Sequence, residues 1–227
     1  METGHGIVGV WDARNGYKRV GAFASGGIGP HDIKLLPDAE VLAIANGGIE
    51  THPETGRTKL NIPTMRPNLT YATLDGQIME RIALSHDHHK NSIHHLAVTR
   101  DATAAFVMQW QGDLSDHAPL LGTHRLGQGG PALAKAEAFK GMQAYVGSVA
   151  AHRRSIAITS PRGGIFLEID ARDLALTHRM HMRDVCGVAP ERDGFVCTDG
   201  TGRVFGTSTG AVTASHQIRW DNHLITL

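Results

Sequence analysis

The sequence carries no excess charge of either sign, few aromatic residues, almost no cysteine and no long apolar run. Lysine plus arginine and aspartate plus glutamate number 22 each, so the formal net charge is zero. A phosphate backbone is met by a basic patch, and this balance supplies none, so nucleic acid is not an expected partner. No apolar stretch approaches the roughly 18 residues of a membrane-spanning helix. The opening METGHGIVGVWD lacks the basic start and apolar stretch of a secretory leader, so no export signal is read in this chain. Two cysteines cannot build a disulfide framework. A phosphate loop and a CxxCH haem attachment string are absent, and the acidic residues are scattered through turns.

What the chain does have is turn-forming residues and histidine. Its 27 glycines and 9 prolines imply many turns, as an all-β chain requires. Histidine numbers 15 against 6 phenylalanines and 3 tyrosines. Imidazole is the commonest metal ligand and titrates near neutral pH, so the excess points to metal chemistry as well as to ordinary turn and surface positions.

Four segments share one layout of apolar strand, polar turn and second apolar strand: HDIKLLPDAEVLAIANGG, HLAVTRDATAAFVMQWQGD, SVAAHRRSIAITSPRGG and GVAPERDGFVCTDGTG. Their first-strand anchors, Ile33, Leu96, Val149 and Val188, lie 63, 53 and 39 residues apart. A second hairpin type alternates with them in GIVGVWDARNGYKRVGAF, LTYATLDGQIMERIAL and GGIFLEIDARDLALTHRM. The pair makes four strands at a period of roughly 40 residues, the spacing of propeller blades, with insertions lengthening the first two repeats. A β-sandwich of generic hairpins is the alternative, and strict alternation of two hairpin types favours the propeller. The fold class is therefore all-β, an incomplete set of about five four-stranded blades forming one domain over 1–227. The first residues read as the outer half of a blade, so the domain is expected to begin mid-blade. The segment SHQIRWDNHLITL reads as a closing strand, and PALAKAEAFKGMQAYV as a short helix on a blade connection.

The strings GIGPHDIKLLPD, LAIANGGIETHPETGRTKLNIPTMRPNL, IHHLAV, YVGSVA, SPRGG, DVCGVAP and WDNHL occur in the order seen in a bacterial family, and the chain resembles domain-of-unknown-function family 1513 along its whole length. The resemblance implies a propeller, seven-bladed when complete. It also implies export to the periplasm behind a twin-arginine signal that is missing here, and partnership with imelysin-type iron-uptake proteins. It implies no activity.

Aligned on their turns, the four hairpins place His31, His94, Gly147 and Cys186 at equivalent positions, each two residues before its anchor. Inner strands line the channel of a propeller, so these residues are expected to ring one opening. Slipping the alignment by one pairs His31 with His95, and strand alternation lets only one of His94 and His95 look inward. The metal candidates are His31, Asp32, His89, His94 and His95, with iron or zinc as the ion. His89 belongs to SHDHHKNSIHH, a loop entering a strand. The ligand-binding candidates are Asn46, Arg66, Arg162 and His223. Arg66 lies in the long insertion GGIETHPETGRTKLNIPTMRPNL with Arg57 and Lys59, and loops of that length are usually functional or mobile. Cys186 faces Cys197 if the hairpin turn is Pro190 to Asp193, and cannot if Asp193 and Gly194 form the turn; no bond is the favoured expectation. The leading functional reading is a non-catalytic binding or scaffold propeller. The other is an enzyme with a histidine-held metal at the channel mouth.

Overall fold

The computed structural model of the protein describes residues 5–56 and 58–225. A two-stranded hairpin, β1 (Ile7–Asp12) and β2 (Lys18–Ala24), opens the chain, and four antiparallel four-stranded sheets follow. The first blade holds β3 (Pro30–Leu35), β4 (Val41–Asn46), β5 (Asn68–Thr73) and β6 (Ile78–Ala83). The second holds β7 (Asn91–Val98), β8 (Ala104–Trp110), β9 (Leu121–His124) and β10 (Ala132–Leu133). The third holds β11 (Ser148–His152), β12 (Ser155–Ser160), β13 (Ile165–Asp170) and β14 (Leu176–His181). The fourth holds β15 (Val185–Glu191), β16 (Gly194–Asp199), β17 (Arg203–Gly206) and β18 (Val212–Ser215). Strand order within each sheet follows the chain, and the first strands pack side by side as β3, β7, β11 and β15. This is an incomplete β-propeller.

The core lies between blades rather than inside any one of them. Along β8, Ala104, Phe106 and Met108 join the cluster shared with the first blade, while Ala105 and Val107 join the one shared with the third. In β12, Ile156 and Ile158 face the second blade and Ala157 faces the fourth. A period of two therefore serves two neighbours at once, which is why these strands read as unbroken apolar runs. The outermost strands β2, β6, β14 and β18 are mostly exposed.

Three expectations from the sequence are corrected. The turns are not uniform: Leu36 bonds to Val41 across a four-residue turn, but His152 pairs with Ser155 and Glu191 with Gly194 across two. Cys197 consequently pairs with Val188, neither of the two foreseen registers, and both cysteines are free and buried. The stretch read as a short helix supplies β10 and a single 3-10 turn, Ala136–Phe139. Gly141, Gln143 and Ala144 all sit at positive φ, which no helix continues. Among the described residues the terminal segment adds no strand beyond β18 and runs irregularly to residue 225.

Phe106, 1% exposed, is with Tyr71 one of the two largest side chains buried between the first two blades, and Phe106→Ala is expected to cost about 3–5 kcal/mol in urea unfolding. Burial pushes the thiols of both Cys186 and Cys197 up to about 12, with Asp184 the next contributor at Cys186. A thiol-titrating disulfide reagent should therefore count no fast-reacting cysteine in the native protein and two after denaturation, with or without prior reduction.

Candidate metal centre

The histidines come together because two inner strands carry a β-bulge at the same place. In β3 the register moves from Pro30–Asn46 to Asp32–Ala45, leaving His31 as the extra residue. In β7 it moves from Ile93–Met108 to His95–Val107, leaving His94 as the extra residue. A bulge puts two residues opposite one and breaks the strict alternation of faces. The expectation that only one of His94 and His95 looks inward is thereby overturned. The His31 ring lies 4.1 Å from that of His94 and 4.7 Å from that of His95, centroid to centroid. One ring nitrogen from each of the three falls within 4.8 Å of the others. Zinc–imidazole bonds of about 2.0–2.1 Å in a tetrahedron place nitrogens roughly 3.4 Å apart, so small rotations of the rings complete the site.

All three imidazoles are held neutral. Burial drives His94 down to about 3, helped by the nearby charges of His31, His95 and Lys59. Burial also drives His95 down to about 4, with His31 and His223 adding to it and Asp32 opposing. His31 is lowered by burial, against the pull of Asp32. A neutral imidazole offers a lone pair, the form a metal requires. Hydrogen bonding selects the nitrogen on His94. The Ser92 hydroxyl, which has one proton, donates it to the Gly47 carbonyl at 2.8 Å. The 3.0 Å contact between Ser92 Oγ and His94 Nε2 must then be donated by His94, which leaves Nδ1 as the coordinating atom.

Asp32 stands beside this site with its carboxylate already engaged. It accepts the N–H of Leu96 at 2.9 Å and of Ile33 at 2.8 Å, and pairs with Lys34 at 3.4 Å. The bond to Leu96 joins the first blade to the anchor of the second. Ser148 makes the same link at the other end of the molecule, accepting the N–H of the fourth-blade anchor Val188 at 3.2 Å. In the second blade this position, one before the anchor, is His95.

The other sequence candidates lie apart. His89 Nδ1 donates a 2.7 Å bond to the His86 carbonyl and its ring stacks on that of His86, in a separate cavity of about 650 Å³ walled by His88, Trp110 and His117. Asn46 is fully buried, and its amide donates to Ser25 O, Asn68 Oδ1 and Thr70 Oγ1, tying the first blade together. Arg66 is exposed and makes no hydrogen bond or ion pair among the described residues. Arg57 lies outside the described residues. Lys59 reaches from the insertion to the Gln111 side chain. Arg162 stacks over Tyr145 at 4.2 Å on the wall of a cavity of about 930 Å³.

His223 does reach the site: its ring meets that of His95 edge-on at 4.8 Å. The irregular segment that carries it crosses the entry ends of the inner strands. A side chain at Gly147 would meet Asn222, and one at Gly187 would meet Leu224, so at both positions the segment would have to shift to admit one. The first two blades present histidine where the third presents Gly147. Of the four equivalent positions His31, His94, Gly147 and Cys186, the structure brings His31 and His94 together; the roles of Ser92 and of Gly147 and Gly187 depend on packing against segments distant in sequence.

The depressed histidines have a consequence for stability. Below about pH 6.5 the unfolded chain takes up protons that the folded sites refuse, so stability is full above that pH and falls as pH drops towards 4. Asp101, Asp113, Asp170 and Asp199 are all shifted below the ordinary carboxylate range, so their losses come at lower pH. In chelator, Tm should fall between pH 6.5 and 4.5, and His94→Gln should flatten that slope. An unchanged slope would remove the histidines as its source.

Comparisons with solved structures place the fold alone. The chain is similar to the computationally designed Ika8 protein (12% identity, TM-score 0.59, covering 90% of this chain and 55% of that one). It is similar to hydrazine synthase of Kuenenia stuttgartiensis (15%, TM-score 0.59, covering 93% and 65%). A third likeness is to the β-propeller domain of Cps50 (Swd1) from Myceliophteria thermophila (8%, TM-score 0.59, covering 88% and 57%). The chain thus spans less than two thirds of each of these structures. No curated protein matches it. A family model described as a protein of unknown function, DUF1513, matches residues 1–227, and the chain belongs to that family.

Proposed function

We propose that this protein is a metal-binding propeller module, one domain over 1–227, whose ligand is a single divalent transition-metal ion at the entry ends of its inner strands. The observation that carries this reading is the convergence of three neutral imidazoles, from His31, His94 and His95, on one point. Imidazole donors suit zinc, iron, copper and nickel, and not magnesium or calcium. Asp32 supports the site from outside, as a negative charge beside His31 and His95.

The module serves binding rather than catalysis. Resemblance to exported family members supports a periplasmic place, beside imelysin-type proteins, with iron as the ion handled. A second reading, a metal-dependent enzyme, is favoured by the ligand count: three protein ligands leave one position open for water or substrate, as in catalytic zinc sites. No helix among the described residues is long and apolar enough to cross a membrane.

Plasma mass spectrometry on tag-free protein, alone and after dialysis against zinc or iron(II), tests the proposal. One equivalent of metal is expected in the parent and none in a His31→Ala, His95→Ala double variant whose circular dichroism is unchanged. A folded parent that stays metal-free would overturn the proposal and leave a scaffold without an ion.

A further inference from the structure

Beyond β18 the chain is held in a way unlike the rest of the molecule. The His216 N–H bonds to the Gly202 carbonyl at 2.8 Å, and among the described residues no further backbone-to-backbone bond holds 217–225. A backbone without such bonds sits at the low-stability end of a fold. Its position rests on side chains. The Asn222 amide donates to the Tyr145 hydroxyl at 3.1 Å, and His223 stands over His95. The path it follows is nonetheless cleared for it, at Gly147 in the third blade and Gly187 in the fourth.

His223 differs from the three strand histidines in one respect. Their ring nitrogens share a common reach of 4.8 Å, and that group does not include His223. His31 and His223 are exposed while His95 is buried, so the site has a floor on β7 and an open lip. Three ligands leave a position open on a metal, and His223 stands over His95 at the edge of the group.

We infer that His223 is the fourth, mobile ligand, and that metal binding draws the segment 217–225 down as a strap across the entry ends of the inner strands. This rests on the metal site proposed above. The strap also builds a second feature: His216 to Asn222 form one wall of the cavity of about 930 Å³ whose other side holds Tyr145, Arg162, Asp184 and Cys186. Occupancy of the histidine site then decides whether that cavity has its wall.

The strap contains an exposed Arg219 followed by Trp220. Tryptic cleavage after Arg219, followed by mass spectrometry, reads its mobility, with the other arginines as internal controls. Zinc should suppress this cut in the parent, and the suppression should be lost in His223→Ala although that variant still binds one zinc by dialysis. In a Trp11→Phe, Trp110→Phe background, zinc should likewise shift Trp220 emission, and the shift should vanish with His223→Ala. Zinc bound in the parent with the cut unprotected, or protected equally in His223→Ala, would overturn the strap and leave the three-histidine site standing. Failure of the parent to bind zinc at all would overturn both.

Discussion

A strand that lies between two blades packs one set of alternating residues against each, and the rest of the molecule follows from that constraint. It gives the three interblade cores their alternating composition, as β8 shows with Phe106 on one side and Val107 on the other. It also makes an extra residue in such a strand consequential. The extra residue in each strand breaks the alternation of faces, and His31 and His94 come to stand side by side. Two bulges in adjacent blades, at equivalent positions, are enough to gather three imidazoles.

The same entry ends carry the polar links between blades. Asp32 and Ser148 each accept an N–H from the anchor of the next blade, so one position in the repeat is a structural hydrogen-bond acceptor. In the second blade that position is His95, buried and turned towards His31 and His223. A repeat protein can place chemistry in this way at small cost to its fold, because one blade can give up a link that the others retain. Burial then keeps the imidazoles neutral, and Ser92 aims His94 by holding its other nitrogen.

Much of the architecture was legible in the chain. The four hairpins from HDIKLLPD to GVAPERDG occupy the innermost positions, as their recurrence implied, and the grouping of His31 with His94 and Gly147 followed from the same alignment. What was not legible has physical causes. Turn length and position cannot be read from polarity, so the two-residue turn at Arg153 went unseen and that of the fourth hairpin was placed one residue late, and with it the register of Cys197. A bulge leaves no composition signal, so His94 and His95 were assigned to opposite faces. The helix expected from PALAKAEAF yields to the burial of Phe139 and Met142 between the second and third blades.

Apolar periodicity and repeat spacing depend only on neighbours along the chain, and these alone established the all-β class, the blade repeat and the family resemblance. Which histidines meet depended on contacts between residues far apart in sequence: the bulges set by packing against adjacent blades, and a terminal segment laid over Gly147 and Gly187. Convergence at a point in space is a property of the folded propeller, and only the tertiary structure decided that His31, His94, His95 and His223 share one opening while His89 does not.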